Sequence, residues 1–80
     1  MNEIELTNKA IEWLERQDNC VKLRPHYFKP KEVADAVGGY AGTVGKVAKA
    51  VVAELCSRGI NIRYVCSGSI RRFELLGKQH

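Results

Sequence analysis

The sequence predicts an α+β domain, three helices followed by a C-terminal two-stranded β-hairpin, and three observations carry that expectation. Its 80 residues suffice for one modest core, apolar residues recur at helical spacing as far as Arg58, and beyond Gly59 the period changes to two. Apolar residues at 45% and charged residues at 28% are the balance of an ordinary globular domain, which argues against a disordered chain. With neither an internal repeat nor a low-complexity segment, residues 1–80 read as one unit.

The first helix is expected over about 2–17. Asn2 with Glu5 three residues on has the form of a capping box, and no Gly or Pro interrupts the segment. On a wheel of about 100° per residue, Ile4, Ile11 and Leu14 form one apolar stripe. Leu6, Ala10 and Trp13 widen it into a second edge, which is expected to meet its copy across a two-fold axis in a homodimer. The competing expectation closes Trp13 over Tyr64 and Phe73 of the same chain.

Asn19 to Phe28 reads as a connection holding Pro25, with Tyr27-Phe28 suited to a short third strand. A helix-turn-helix is expected next, over about 30–58. Pro30 suits a first helical position, Val33, Ala34 and Val37 give a buried side, and Gly38 ends the short second helix. Gly39 to Gly42 make the turn. From there Val44, Val47, Ala48, Val51, Val52 and Leu55 form the stripe of an amphipathic third helix, which Gly59 ends. Gly45 costs about 1 kcal/mol in a helix interior, and close packing on the preceding helix is the expected compensation.

The hairpin is expected over about 60–76, with Ile60, Ile62, Tyr64, Phe73 and Leu75 on one face. If Gly68-Ser69 are the central turn residues, Tyr64 faces Phe73, Ile62 faces Leu75 and Arg63 faces Glu74. With Ser67-Gly68 central, Arg63 would face Arg72, a like-charge pair, so the first register is preferred.

Net charge is +4 and unevenly spread. Five of the nine acids (Glu3, Glu5, Glu12, Glu15, Asp18) fall in residues 1–20, while eleven of the thirteen Lys and Arg residues fall in 21–80. A polyanion is the natural partner of such a distribution. On the third helix, the face opposite the valine stripe holds Gly42, Thr43, Lys46, Lys49, Ala50 and Ala53, all small or basic, with no acid before Glu54. The same pattern would suit a solvated face, but solvated faces usually mix Glu with Lys.

The stretch from Phe28 through Pro30, Ala34 and Gly38, continued by Thr43-Val44-Gly45-Lys46-Val47 and by Glu54-Leu55 to Gly59, resembles the winged helix-turn-helix superfamily of DNA-binding domains. In that family an Ala of the first motif helix packs on an aliphatic residue of the recognition helix, and Ala34 with Val44 or Val47 matches those positions. Tyr27-Phe28-Lys29 and Val44-Gly45-Lys46 are also similar to a group of small archaeal winged-helix proteins. The Gly-rich turn departs from the usual Ser or Thr cap. The resemblance covers about residues 27–75 and implies a DNA-binding protein, a transcriptional regulator that docks its recognition helix in the major groove of double-stranded DNA. Thr43, Lys46 and Lys49 would then face the groove, Lys29 and Lys31 would hold backbone phosphates, and Arg63, Arg71 and Arg72 would form a basic wing. The arginines would equally protect an edge strand from aggregation.

Catalysis, cofactors and metals find no support in the sequence. His26 stands beside Pro25 and Tyr27 and His80 is the last residue, neither with a partner for nucleophilic or metal chemistry. Cys20, Cys56 and Cys66 lack CxxC or CxxH spacing and read as reduced, mostly packed thiols. An acidic start and the absence of a long apolar run suggest a cytoplasmic protein without a membrane span. Two readings compete with DNA binding: a protein-interaction scaffold working through the apolar first helix, and a structured-RNA binder using the same cations.

Overall fold

A computed structural model describes residues 2–20 and 26–76. Three helices, α1 (Glu3–Cys20), α2 (Pro30–Val37) and α3 (Ala41–Ser57), accompany three strands, β1 (His26–Phe28), β2 (Ile62–Ser67) and β3 (Ile70–Leu75). The connection that holds Pro25, the side chain of Cys20 and the terminal His80 lie outside the described residues.

Several of the helix ends are set by identifiable backbone chemistry. The Asn2 side-chain oxygen accepts the Glu5 N–H at 2.8 Å, and α1 then runs past the expected end near Gln17 to Cys20. Pro30 opens α2, where a missing N–H costs nothing. Gly38 closes it at φ 80°, and the Gly39 N–H returns to the Ala34 carbonyl at 2.9 Å. Helix α3 takes Ala41 and Gly42, expected in the turn, into its own first turn. At its other end the Ile60 N–H bonds the Leu55 carbonyl and the Gly59 N–H bonds that of Cys56, with Gly59 at φ 84°. That is the bonding of a Schellman end.

The core corrects the reading of α1. Leu6, Ala10, Ile11 and Leu14 are buried within the chain itself, whereas Ile4, assigned to the core stripe, is 73% exposed. Of the edge that was expected to face water and a second copy, Leu6 and Ala10 are therefore already covered and Trp13 is partly so. Leu6 is trapped by the α2–α3 turn, since a Cβ on Gly39 would come within 2.5 Å of its Cδ1. Trp13 meets the β1 residue Phe28 edge to face at 5.1 Å, while Tyr64 and Phe73 pair with each other at 4.9 Å. Trp13 thus packs on the core of its own chain, with its aromatic ring partner on β1. From α2 and α3, Val33, Ala34, Val44, Ala48, Val51 and Leu55 complete the helical part of the core.

The sheet is antiparallel in the order β1-β3-β2, so the last strand lies in the middle. Tyr64 pairs with Phe73, Ile62 with Leu75 and Arg63 with Glu74, which is the preferred register. Gly68 at φ 60° followed by Ser69 without positive φ fits a two-residue turn of the II′ kind. Tyr27-Phe28 do form the third strand, together with His26. No helix among the described residues is long and apolar enough to cross a membrane.

The reversal on α1 has a measurable consequence. Leu6→Ala is expected to cost about 2–5 kcal/mol in urea unfolding, as buried leucines do, while Ile4→Ala stays within about 0.5 kcal/mol of wild type. Equal effects of the two substitutions would refute this assignment of the core.

Candidate functional site

Alternation along the strands divides the basic residues of the hairpin between two surfaces. Phe73 and Leu75 point into the core, and Arg71, two residues before Phe73 and opposite Cys66, shares their side of the sheet. Arg72 and Glu74 take the other side, with Arg63 across from Glu74 on β2 and Tyr27 across from it on β1.

On that outer side the charges are mutually engaged. The Glu74 carboxylate accepts a hydrogen bond from Arg63 Nε at 2.6 Å through Oε1 and from Arg72 Nε at 2.9 Å through Oε2. The Arg72 guanidinium also lies 4.4 Å above the Tyr27 ring. Covered in this way, Glu74 is only 3% exposed. The hydrogen bond from Arg63, with a smaller contribution from Arg72, holds its carboxyl below the usual carboxylate range, against burial, which acts in the opposite direction. Arg63 and Arg72 are thus parts of the sheet's own cover, a role that their grouping as wing cations overlooked.

On the inner side Arg71 joins a different set. A groove of about 310 Å³ runs between the start of α2, the start of α3 and the hairpin tip, lined by Lys29, Lys31, Gly42, Gly45, Tyr64 and Arg71 among others. No acidic residue lines it, and none of its three cations belongs to an ion pair found among the described residues. A second groove of about 470 Å³ shares Lys29, Ser69 and Arg71 with it and continues toward Tyr27, Glu32, Ile70 and Arg72. Burial raises the Tyr64 phenol above its ordinary value, so its hydroxyl remains a donor at neutral pH. Helix α3 enters this region without a side-chain cap and without an acid in its first turn, and its capping residue, Tyr40, is 82% exposed. Lys46 and Lys49 stand exposed on the helix face that continues from Gly42, and Thr43 is half-buried.

No protein-family model, curated protein or solved structure matches this chain.

Of the eight residues singled out in the sequence, the structure brings Lys29, Lys31 and Arg71 to one groove and leaves Lys46 and Lys49 on the adjoining face of α3. Arg63 and Arg72 turn away from it. Tyr64, assigned only to the core, was missed as a wall of the groove. The preferred hairpin register held the signal, because Arg71 opposite Cys66 must share a face with Tyr64. Gly45 meets Tyr64 Oη, 3.6 Å from where a Cβ would stand, in place of the expected packing on the preceding helix. Cys56 and Cys66 are exposed, although mostly packed thiols were expected, and Cys56 Sγ donates to the Ile62 carbonyl at 3.4 Å. His26 belongs to β1, 6.1 Å from Phe28 between ring centroids. No group of His, Cys, Asp and Glu side chains suited to a metal ion occurs among the described residues.

The Glu74 network gives stability a definite pH dependence. The folded chain keeps this carboxyl ionised to lower pH than the unfolded chain does, so the unfolded state binds more protons in that interval. The stabilisation is complete above the ordinary carboxylate range and is lost as pH falls through that range and on through the depressed value. Urea unfolding of wild type and Glu74→Gln across acid pH should show a variant less stable at neutral pH with a shallower acid slope. Parallel curves would place the acid sensitivity elsewhere.

Proposed function

We propose that this chain is a winged helix-turn-helix domain that binds double-stranded DNA, with α3 as the recognition helix in the major groove and the β2–β3 hairpin as the wing. The observation that carries the reading is the gathering of uncompensated cations around the start of α3. Lys29, Lys31 and Arg71 meet in one acid-free groove, and Lys46 and Lys49 extend the same sign along the exposed face of the helix. Three helices and a small antiparallel sheet are compatible with that architecture.

The parts have separate tasks. Lysines at the start of α2 and Arg71 on the hairpin hold phosphates and set the register, while Thr43, Lys46 and Lys49 reach toward base edges or the flanking backbone. Of the three arginines assigned to the wing, only Arg71 is free of an ion pair within the described residues. Regulation of transcription would follow from occupancy of the duplex, without chemistry by the protein. The scaffold reading loses its main surface, because Leu6 and Ala10 are buried.

Salt-titrated binding to mixed duplex DNA, single-stranded DNA and structured RNA tests the proposal. Five phosphate contacts correspond to a slope of about 4 to 5 in log affinity against log salt. Lys46→Ala with Lys49→Ala should lower the slope by about 2, and Arg71→Ala by about 1, with native circular dichroism. Arg63→Ala should leave the slope unchanged and lower stability instead. Absence of duplex binding at low salt, or a preference for structured RNA, would overturn the reading.

A further inference from the structure

We infer that the groove between α2, α3 and the hairpin tip is a slot for one phosphodiester strand, and that Gly42 and Gly45 lack side chains so that the strand can reach the α3 backbone. This rests on the duplex-binding reading and adds where in the fold the strand enters.

The folded chain gives a reason for its other described glycines. Gly38, Gly59 and Gly68 adopt positive φ, and a Cβ on Gly39 would strike Leu6. Gly42 and Gly45 have neither reason. A Cβ on Gly42 would meet nothing within 4 Å, and one on Gly45 would rest at 3.6 Å from Tyr64 Oη, an ordinary contact. Alanine would fit at both positions and favour the helix, so packing does not account for the glycines.

What surrounds them is independent of helix propensity. Lys29, Lys31 and Arg71 line the same groove, unpaired among the described residues, and Tyr64 offers a hydroxyl donor. These groups call for an anion. The adjoining groove shares Lys29, Ser69 and Arg71 and adds Arg72, with Glu32 on its wall, so the open channel runs on past the three unpaired cations and is longer than a single phosphate ion needs. An extended polyanion occupies such a channel, and a methyl group at position 45 or 42 would stand between it and the helix backbone.

The full chain carrying Gly42→Ala and Gly45→Ala, compared with wild type in thermal melting and in duplex binding, tests the slot. The variant should melt about 4 °C or more higher and bind duplex about tenfold or more weakly. Higher melting temperature with undiminished binding would overturn the slot and leave the duplex reading standing. A lower melting temperature would overturn it by making the glycines structural. Wild type that binds no duplex would overturn both. In an amide chemical-shift titration, inorganic phosphate alone saturating Gly42 and Gly45 at about 1 mM or below would make the groove a small-anion pocket and overturn the strand.

Discussion

The second half of strand β3 is buried on both faces, yet helices can cover only one of them. Phe73 and Leu75 meet the core on the helix side, and Glu74 between them is almost as inaccessible on the other. An ionised carboxylate in that place would be costly without partners, and two guanidinium groups supply them, one of which rests on the Tyr27 ring. The outer surface of the sheet is therefore held by a charged network, in which Arg63 of β2 and Arg72 of β3 bond Glu74 and Tyr27 of β1 lies against Arg72. Such a network constrains the register of both strand pairs, because a shift of one residue would move Glu74 to the core side.

That constraint divides the basic residues into two kinds. Arg63 and Arg72 are neutralised in part by Glu74, and Arg58 at the far end of α3 is shared between Glu15 and Glu54. These acids of α1 and of the end of α3 thus meet a cation away from the groove. Lys9 and Arg16 on α1 are also unpaired among the described residues, but Lys29, Lys31 and Arg71 are the unpaired cations that share one groove, where α2, α3 and the hairpin tip converge. A formal charge of +4 says little about a partner, but the location of the charges that no acid in the fold answers says considerably more.

Much of this architecture was legible in the sequence because it depends on local rules. The helix ends at Gly38 and Gly59, the Asn2 cap, the stripe of Val44, Ala48, Val51 and Leu55, and the hairpin register each follow from a few neighbouring residues. The partition of α1 was not legible. Its apolar residues span about half a wheel, and only the position of the α2–α3 turn, pressed on Leu6 through Gly39, decides that Leu6 is inside and Ile4 outside. The grouping of Arg63, Arg71 and Arg72 failed for a different reason. Proximity in sequence suggests a shared surface, although neighbours on a strand face opposite ways.

The departures from local rules are themselves concentrated. A tyrosine stands where a small polar residue usually caps a helix, the first turn of α3 has no acid, Gly45 occupies a helix interior without a packing reason, and three cations share a groove. Each lowers the stability of the isolated chain, and all lie at one end of one helix. Elsewhere the same chain follows the rules closely, with the Asn2 cap on α1, glycines closing α2 and α3, a preferred turn and no buried side-chain polar atom left unpaired among the described residues. A sequence that satisfies these preferences over most of its length and departs from them in one place has the pattern that a functional constraint at that place would leave. The sign of the charge and the bareness of the backbone at that place are what a phosphate-bearing partner would require.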